Sequence, residues 1–99
     1  MEELKIRKED KELSKYLKAL SHPTRVLIYR HLLNQPCCYT RDLVETLPIA
    51  QSTISQHLKE LKDSGLIQGE INPPKIKYCI NQDNYKKVKE LFNKLFKTT

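Results

Sequence analysis

Residues 51–80 limit the fold more than any other stretch of this chain. In Gln51–Ser64, Ile54, Leu58 and Leu61 recur at i, i+4 and i+7, which places them on one face of a helix. Gly65 follows as a C-terminal cap. Two strand-like segments come next, Leu66–Asn72 and Lys75–Ile80, joined at Pro73-Pro74. In the second, Ile76, Tyr78 and Ile80 alternate with Lys75, Lys77 and Cys79, the period of a half-buried strand. Just upstream, Thr40 is placed to cap a shorter helix that runs to Leu47, with Asp42 in its positive first turn and Leu43, Val44 and Leu47 inward. Pro48-Ile49-Ala50 leaves only a tight turn between the two helices.

Two short helices across a tight turn, followed by a hairpin, predict a winged helix-turn-helix. The flanks agree. From about residue 3 to 20 a helix is expected, with Leu13, Tyr16, Leu17 and Leu20 as its apolar stripe. Ser21-His22-Pro23 ends it and opens a second helix to about Asn34, with Tyr29, Leu32 and Leu33 inward, and Pro36 stops that one. Cys37-Cys38-Tyr39 suits a short strand, which this fold pairs with the second hairpin strand. A last helix, about Asp83 to Lys97, carries Tyr85, Val88, Leu91, Phe92, Leu95 and Phe96, a large apolar share for a terminal helix. The expected class is mainly α (α+β), ordered helix, helix, strand, helix, helix, strand, strand, helix, as a single domain over 1–99.

A domain of 99 residues buries a modest core, and pairing with a second copy would help it. The formal net charge of +6 favours polyanionic partners such as double-stranded DNA. No apolar run approaches the ~20 residues needed to span a bilayer. The N-terminus has no stretch of signal-peptide type, so no membrane partner and a cytoplasmic location are expected. An enzyme is not expected. The chain has no Ser–His–Asp or Cys–His set, no Gly-rich phosphate loop and only 2 glycines.

With Ile54, Leu58 and Leu61 inward, the outer face of the fourth helix is Gln51, Ser52, Ser55, Gln56 and Lys59. Major-groove readout uses such groups: Gln pairs with adenine edges, Ser with several bases, Lys with guanine or phosphate. A merely solvated face would carry more Glu and Lys. Lys75 and Lys77, on the outer face of the hairpin, either touch phosphates or protect the strand from pairing between molecules.

The segments Leu17-Lys-Ala-Leu-Ser-His-Pro-Thr-Arg-Val-Leu-Ile-Tyr-Arg-His-Leu-Leu33 and Gln51-Ser-Thr-Ile-Ser-Gln-His-Leu-Lys-Glu-Leu-Lys-Asp-Ser-Gly-Leu-Ile67 resemble the ArsR/SmtB family of bacterial winged-helix repressors. The resemblance runs from about residue 13 to 97. It implies a homodimer whose interface is made by the helices within 1–20 and 83–97. It also implies a repressor that leaves its operator on sensing a metal, metalloid or thiol-reactive signal. Recognition would fall to Gln51, Ser52, Thr53, Ser55, Gln56 and His57. At the edge of the buried stripe, His57 reads equally as a packing residue.

Two metal sites of that family have no counterpart here. The last helix contains no His and no Cys, and the three histidines, His22, His31 and His57, have no ligand spacing for zinc. Where arsenic and cadmium sensors carry Cys-x-Cys-Asp, this chain has Tyr39-Thr40-Arg41-Asp42. What remains is Cys37, Cys38 and Cys79. Together they suit a soft metalloid such as arsenite, or Cu(I). Alternatively they form an oxidation switch, with Arg41 placed to lower a thiol pKa, or they are small packing residues. No other cofactor is expected. Alternation sends Cys37 and Cys38 to opposite faces, so only one can meet Cys79. Two further functional readings are a winged-helix protein-interaction module that does not touch DNA, and a DNA binder with no inducer.

Overall fold

The computed structural model describes residues 5–35, 37–72 and 75–97. The Pro36 stop, the Pro73-Pro74 turn and residues 3 and 4 of the expected first helix lie outside them. The elements are α1 (Lys8–Ala19), α2 (Pro23–Asn34), β1 (Cys37–Tyr39), α3 (Thr40–Thr46), α4 (Gln51–Ser64), β2 (Ile67–Asn72), β3 (Lys75–Ile80) and α5 (Gln82–Phe96). This is the expected order of a winged helix-turn-helix.

Helix α1 starts at Lys8, later than the expected start near residue 3. The Asp10 carboxylate accepts from the Arg7 backbone N–H at 2.9 Å, which fixes the first turn there. Helix α2 opens on His22, whose Nδ1 accepts from the Thr24 N–H at 3.2 Å, with Pro23 at the first helical position. Thr40 is not a cap: Tyr39 holds that position in extended conformation and Thr40 is already helical. The strand leads into the helix without a spare residue. Gly65 ends α4 at φ 90°, where a side chain would be strained and a Cβ would lie 3.0 Å from the Asn84 amide nitrogen. That amide donates to the Gly65 carbonyl at 2.7 Å and so ties the end of α4 to the start of α5.

The sheet order is β1-β3-β2, with both pairings antiparallel. Cys37 lies opposite Cys79, Cys38 opposite Tyr78 and Tyr39 opposite Lys77. One core joins all the helices and the base of the sheet. Tyr16 of α1, Ile28 and Leu32 of α2, Leu43 of α3, Ile54, Leu58 and Leu61 of α4, and Val88 of α5 all contribute to it.

Three expectations about inward faces are corrected. Leu33 is 40% exposed and Leu17 37%, because each sits at the margin of its helix's buried face. Strand β3 does not alternate. Lys75 and Ile76 at its outer end are both exposed, while Cys79 and Ile80 at its base are both buried. The hairpin projects past the helices, so exposure changes along the strand rather than across it.

Candidate nucleic-acid interface

Helix α4 presents Gln51, Ser52, Thr53, Ser55, Gln56 and Lys59 to solvent, while Ile54, Leu58 and Leu61 are fully buried beneath them. Its first turn carries no acidic residue, so the positive end of the helix is not neutralised by its own side chains. His57 is set apart from these side chains. It is 8% exposed and its Nδ1 accepts from the Arg25 Nε at 3.1 Å. Burial is the main cause holding its pKa below the usual histidine value, with the nearby His22 and Arg25 adding to it. The side chain faces α2, away from the exposed row.

Lys75 is exposed, with its Nζ 5.6 Å from the centre of the Tyr39 ring. Lys77 is half-buried and pairs with Glu70 of β2 at 3.4 Å. The two wing lysines are therefore unequal, and Lys75 is the freer to meet a phosphate. Between α3, the start of α4 and β3 lies an open groove of about 890 Å³, lined among others by Tyr39, Arg41, Gln51, Ser55, Lys75 and Ile76. It brings the wing and the exposed row of α4 onto one side of the molecule.

The cysteines are brought together in part. Cys37 and Cys79 are joined by a disulfide across β1 and β3. Cys38 is buried on the other face of β1, and burial, with Asp42 nearby, pushes its thiol pKa up. Its Sγ lies 3.8 Å from the Gln35 carbonyl oxygen. The three sulfurs do not converge, and no group of three or more metal-ligating side chains occurs among the described residues. Arg41, expected beside the thiols, instead pairs with Glu45 at 3.2 Å. Sequence reasoning missed the Arg25–His57 contact, which joins residues 32 apart with no shared periodicity.

The profile described as "Bacterial regulatory protein, arsR family" matches residues 22–68. The HTH-type transcriptional regulator YgaV of Escherichia coli (strain K12) is 36% identical over 67 residues, which is 68% of this chain and 68% of that protein. The arsenical resistance operon repressor of Staphylococcus xylosus is 38% identical over 73 residues, 74% of this chain and 69% of that one. The chain belongs to the ArsR/SmtB family. Among solved structures, HlyU from Vibrio cholerae N16961 matches this ArsR-family protein with a TM-score of 0.75 at 26% identity, covering 94% of this chain and 100% of that one. The family is one of DNA-binding transcriptional regulators, not enzymes, and this member carries its winged helix-turn-helix. None of its described helices is long and apolar enough to cross a membrane.

Proposed function

We propose that this ArsR-family regulator is a cytoplasmic, homodimeric repressor that reads its operator with the exposed row of α4 and is released by oxidation of Cys37 and Cys79. The observation that carries the readout is the side-chain set of that row. Gln51, Ser52, Thr53, Ser55, Gln56 and Lys59 supply short donors and acceptors at the surface of a helix whose other face is locked in the core. Lys75 adds a phosphate contact from the wing, with Lys77 behind it.

Dimerisation through α1 and α5 is supported by the apolar surface these helices leave uncovered. Phe96 is 75% exposed although Phe92 stacks on it at 6.1 Å, and Ile6, just before α1, is 72% exposed. The two helices already pack together within one chain, where Lys94 meets Glu9 at 3.6 Å and Lys87 pairs with Glu12. A second copy would present a second α4, for half-sites about one helical turn apart.

The signal reading rests on the pair that faces across β1 and β3. Structural disulfides are uncommon in a reducing cytoplasm, so a cross-strand bond there fits a reversible role. In the reaction two thiols lose two electrons and two protons to a peroxide, which leaves as two waters. Strand β1 runs straight into α3 and β3 carries Lys75, so the bond fixes the spacing of the groove between them. A three-thiolate arsenite or Cu(I) site is the weaker reading, because Cys38 points into the core.

The test is to select duplexes from a random pool with reduced protein, then titrate one before and after mild peroxide. The reading predicts binding that weakens by at least about tenfold, or 1.4 kcal/mol, on oxidation. A Cys37→Ser variant should bind and ignore peroxide. Selection of no duplex would refute the readout; equal affinity in both redox states would refute the signal.

A further inference from the structure

Helix α4 is held at the middle of its buried side by a polar contact that the apolar core does not require. Arg25, in the first turn of α2, donates from Nε to the Nδ1 of His57 at 3.1 Å. Its Nη1 reaches the Ala19 carbonyl at the end of α1 at 3.4 Å. One guanidinium thus touches the ends of two helices and the centre of the helix that faces DNA. The His22 ring lies 4.5 Å from the His57 ring, and its own Nδ1 is occupied in capping α2.

We propose that Arg25 is a positioning residue for DNA recognition: through the His57 ring it sets the pose of α4, and the tie exists only while that ring keeps an unprotonated Nδ1. The proposal rests on α4 being the reading helix.

Chemistry makes the tie conditional. A guanidinium can only donate, and His57 can accept only when neutral at Nδ1. A proton there would set an N–H against an N–H and a cation against a cation. The charged and titratable groups acting on His57 are His22 and Arg25 on the α2 side and Glu60, one turn further along α4. From α1 the cluster receives the Ala19 carbonyl, which is already engaged with Arg25. Burial and the two basic neighbours outweigh Glu60 and depress the titration of the ring, so the tie is intact at neutral pH. The stability that depends on a neutral His57 is complete above the ordinary histidine pKa. It is lost as pH falls below that value toward the depressed one.

The decisive comparison uses a duplex selected from a random pool by wild-type protein near neutral pH. Its affinity is measured by fluorescence anisotropy from about pH 7.5 to about pH 5, across the histidine range. His57→Asn keeps a carbonyl acceptor for Arg25 but cannot titrate. It is expected to bind like wild type at neutral pH. At the acid end wild type should be weaker than this variant by about tenfold, the equivalent of one pKa unit between free and bound protein. Arg25→Gln keeps a donor and removes the charge. It should raise the pH of the affinity drop and, with it, the titration of the His57 ring followed by proton NMR. A contact that only packs would still move the titration of the ring through the lost charge, but would leave the pH of the affinity drop unchanged.

Identical pH profiles for wild type and His57→Asn would overturn the proposal, as would a His57 titration unmoved in Arg25→Gln. Circular dichroism checks folding, and if one variant does not fold the other decides. Failure of wild type to select any duplex would remove the DNA role of α4 and this proposal with it. Binding with an unchanged profile removes the proposal alone.

Discussion

Helix α4 and strand β3 both line the groove beside the proposed reading row, yet they are two-sided in different ways. Across α4 the division is sharp. Ile54, Leu58 and Leu61 are at 0% exposure, while Gln51, Ser55, Gln56 and Lys59 stand in solvent one or two residues away. Along β3 the division runs from end to end, with Lys75 and Ile76 exposed and Cys79 and Ile80 buried. An element lying flat on the core sorts its residues by period. One that projects from the core sorts them by distance from it. The consequence is a helix seated along its length on the core beside a wing held at its base by the Cys37–Cys79 bond, the pairing of β1 with β3 and the packing of Ile67 and Ile80.

The sharpest way to break this contrast is to truncate each element's apolar side. Leu58→Ala should destabilise the protein by about 2–5 kcal/mol, because a fully buried side chain leaves a cavity. Ile76→Ala should stay within about 0.5 kcal/mol, as for an exposed site. Equal losses in thermal or urea denaturation would mean that the wing packs as tightly as α4. Reducing the disulfide tests the anchor. It closes a loop between residues 42 apart, so reductant should lower stability by about 2–4 kcal/mol, measured by denaturant melts with and without it. Cys38→Ser should keep that sensitivity, since Cys38 sits on the opposite face of β1. A smaller change concerns the core itself. The Tyr29 hydroxyl is buried with no hydrogen-bond partner among the described residues, and burial, above the charges of Tyr85 and Tyr16, pushes its pKa up to about 12. Removing the orphaned group in Tyr29→Phe should be neutral or stabilising by about 1 kcal/mol. A loss of more than that in a thermal melt would reveal a partner for the hydroxyl.

The same contrast explains what was legible in the sequence. Helix α4 was readable to the residue, because its period, its following glycine and the turn before it all agree. The pairing of β1 with β3 followed from the assigned fold, and the opposite facing of Cys37 and Cys38 from strand alternation. Periodicity overreached at Leu17 and Leu33, which fit a stripe by spacing but lie at its edge. It failed on β3, since no local pattern says how far a hairpin extends beyond its helices. His57 was ambiguous because its position lies beside the buried stripe; the partner that decides it, Arg25, comes from another helix. Arg41 looked like a neighbour of the thiols along the chain, but it is drawn instead to Glu45 one turn ahead.

The proposed interface divides its labour: the exposed row of α4 reads bases while Lys75 only meets phosphate. It is tested most directly by titrating Gln56→Ala and Lys75→Ala against a selected duplex and its scrambled counterpart over a range of salt. Gln56→Ala should lose about 1–3 kcal/mol on the selected duplex and nothing on the scrambled one. Lys75→Ala should weaken both alike and lower the salt slope by about 1. If Gln56→Ala weakens the two duplexes equally, α4 is not the reader and the assignment of the interface is wrong.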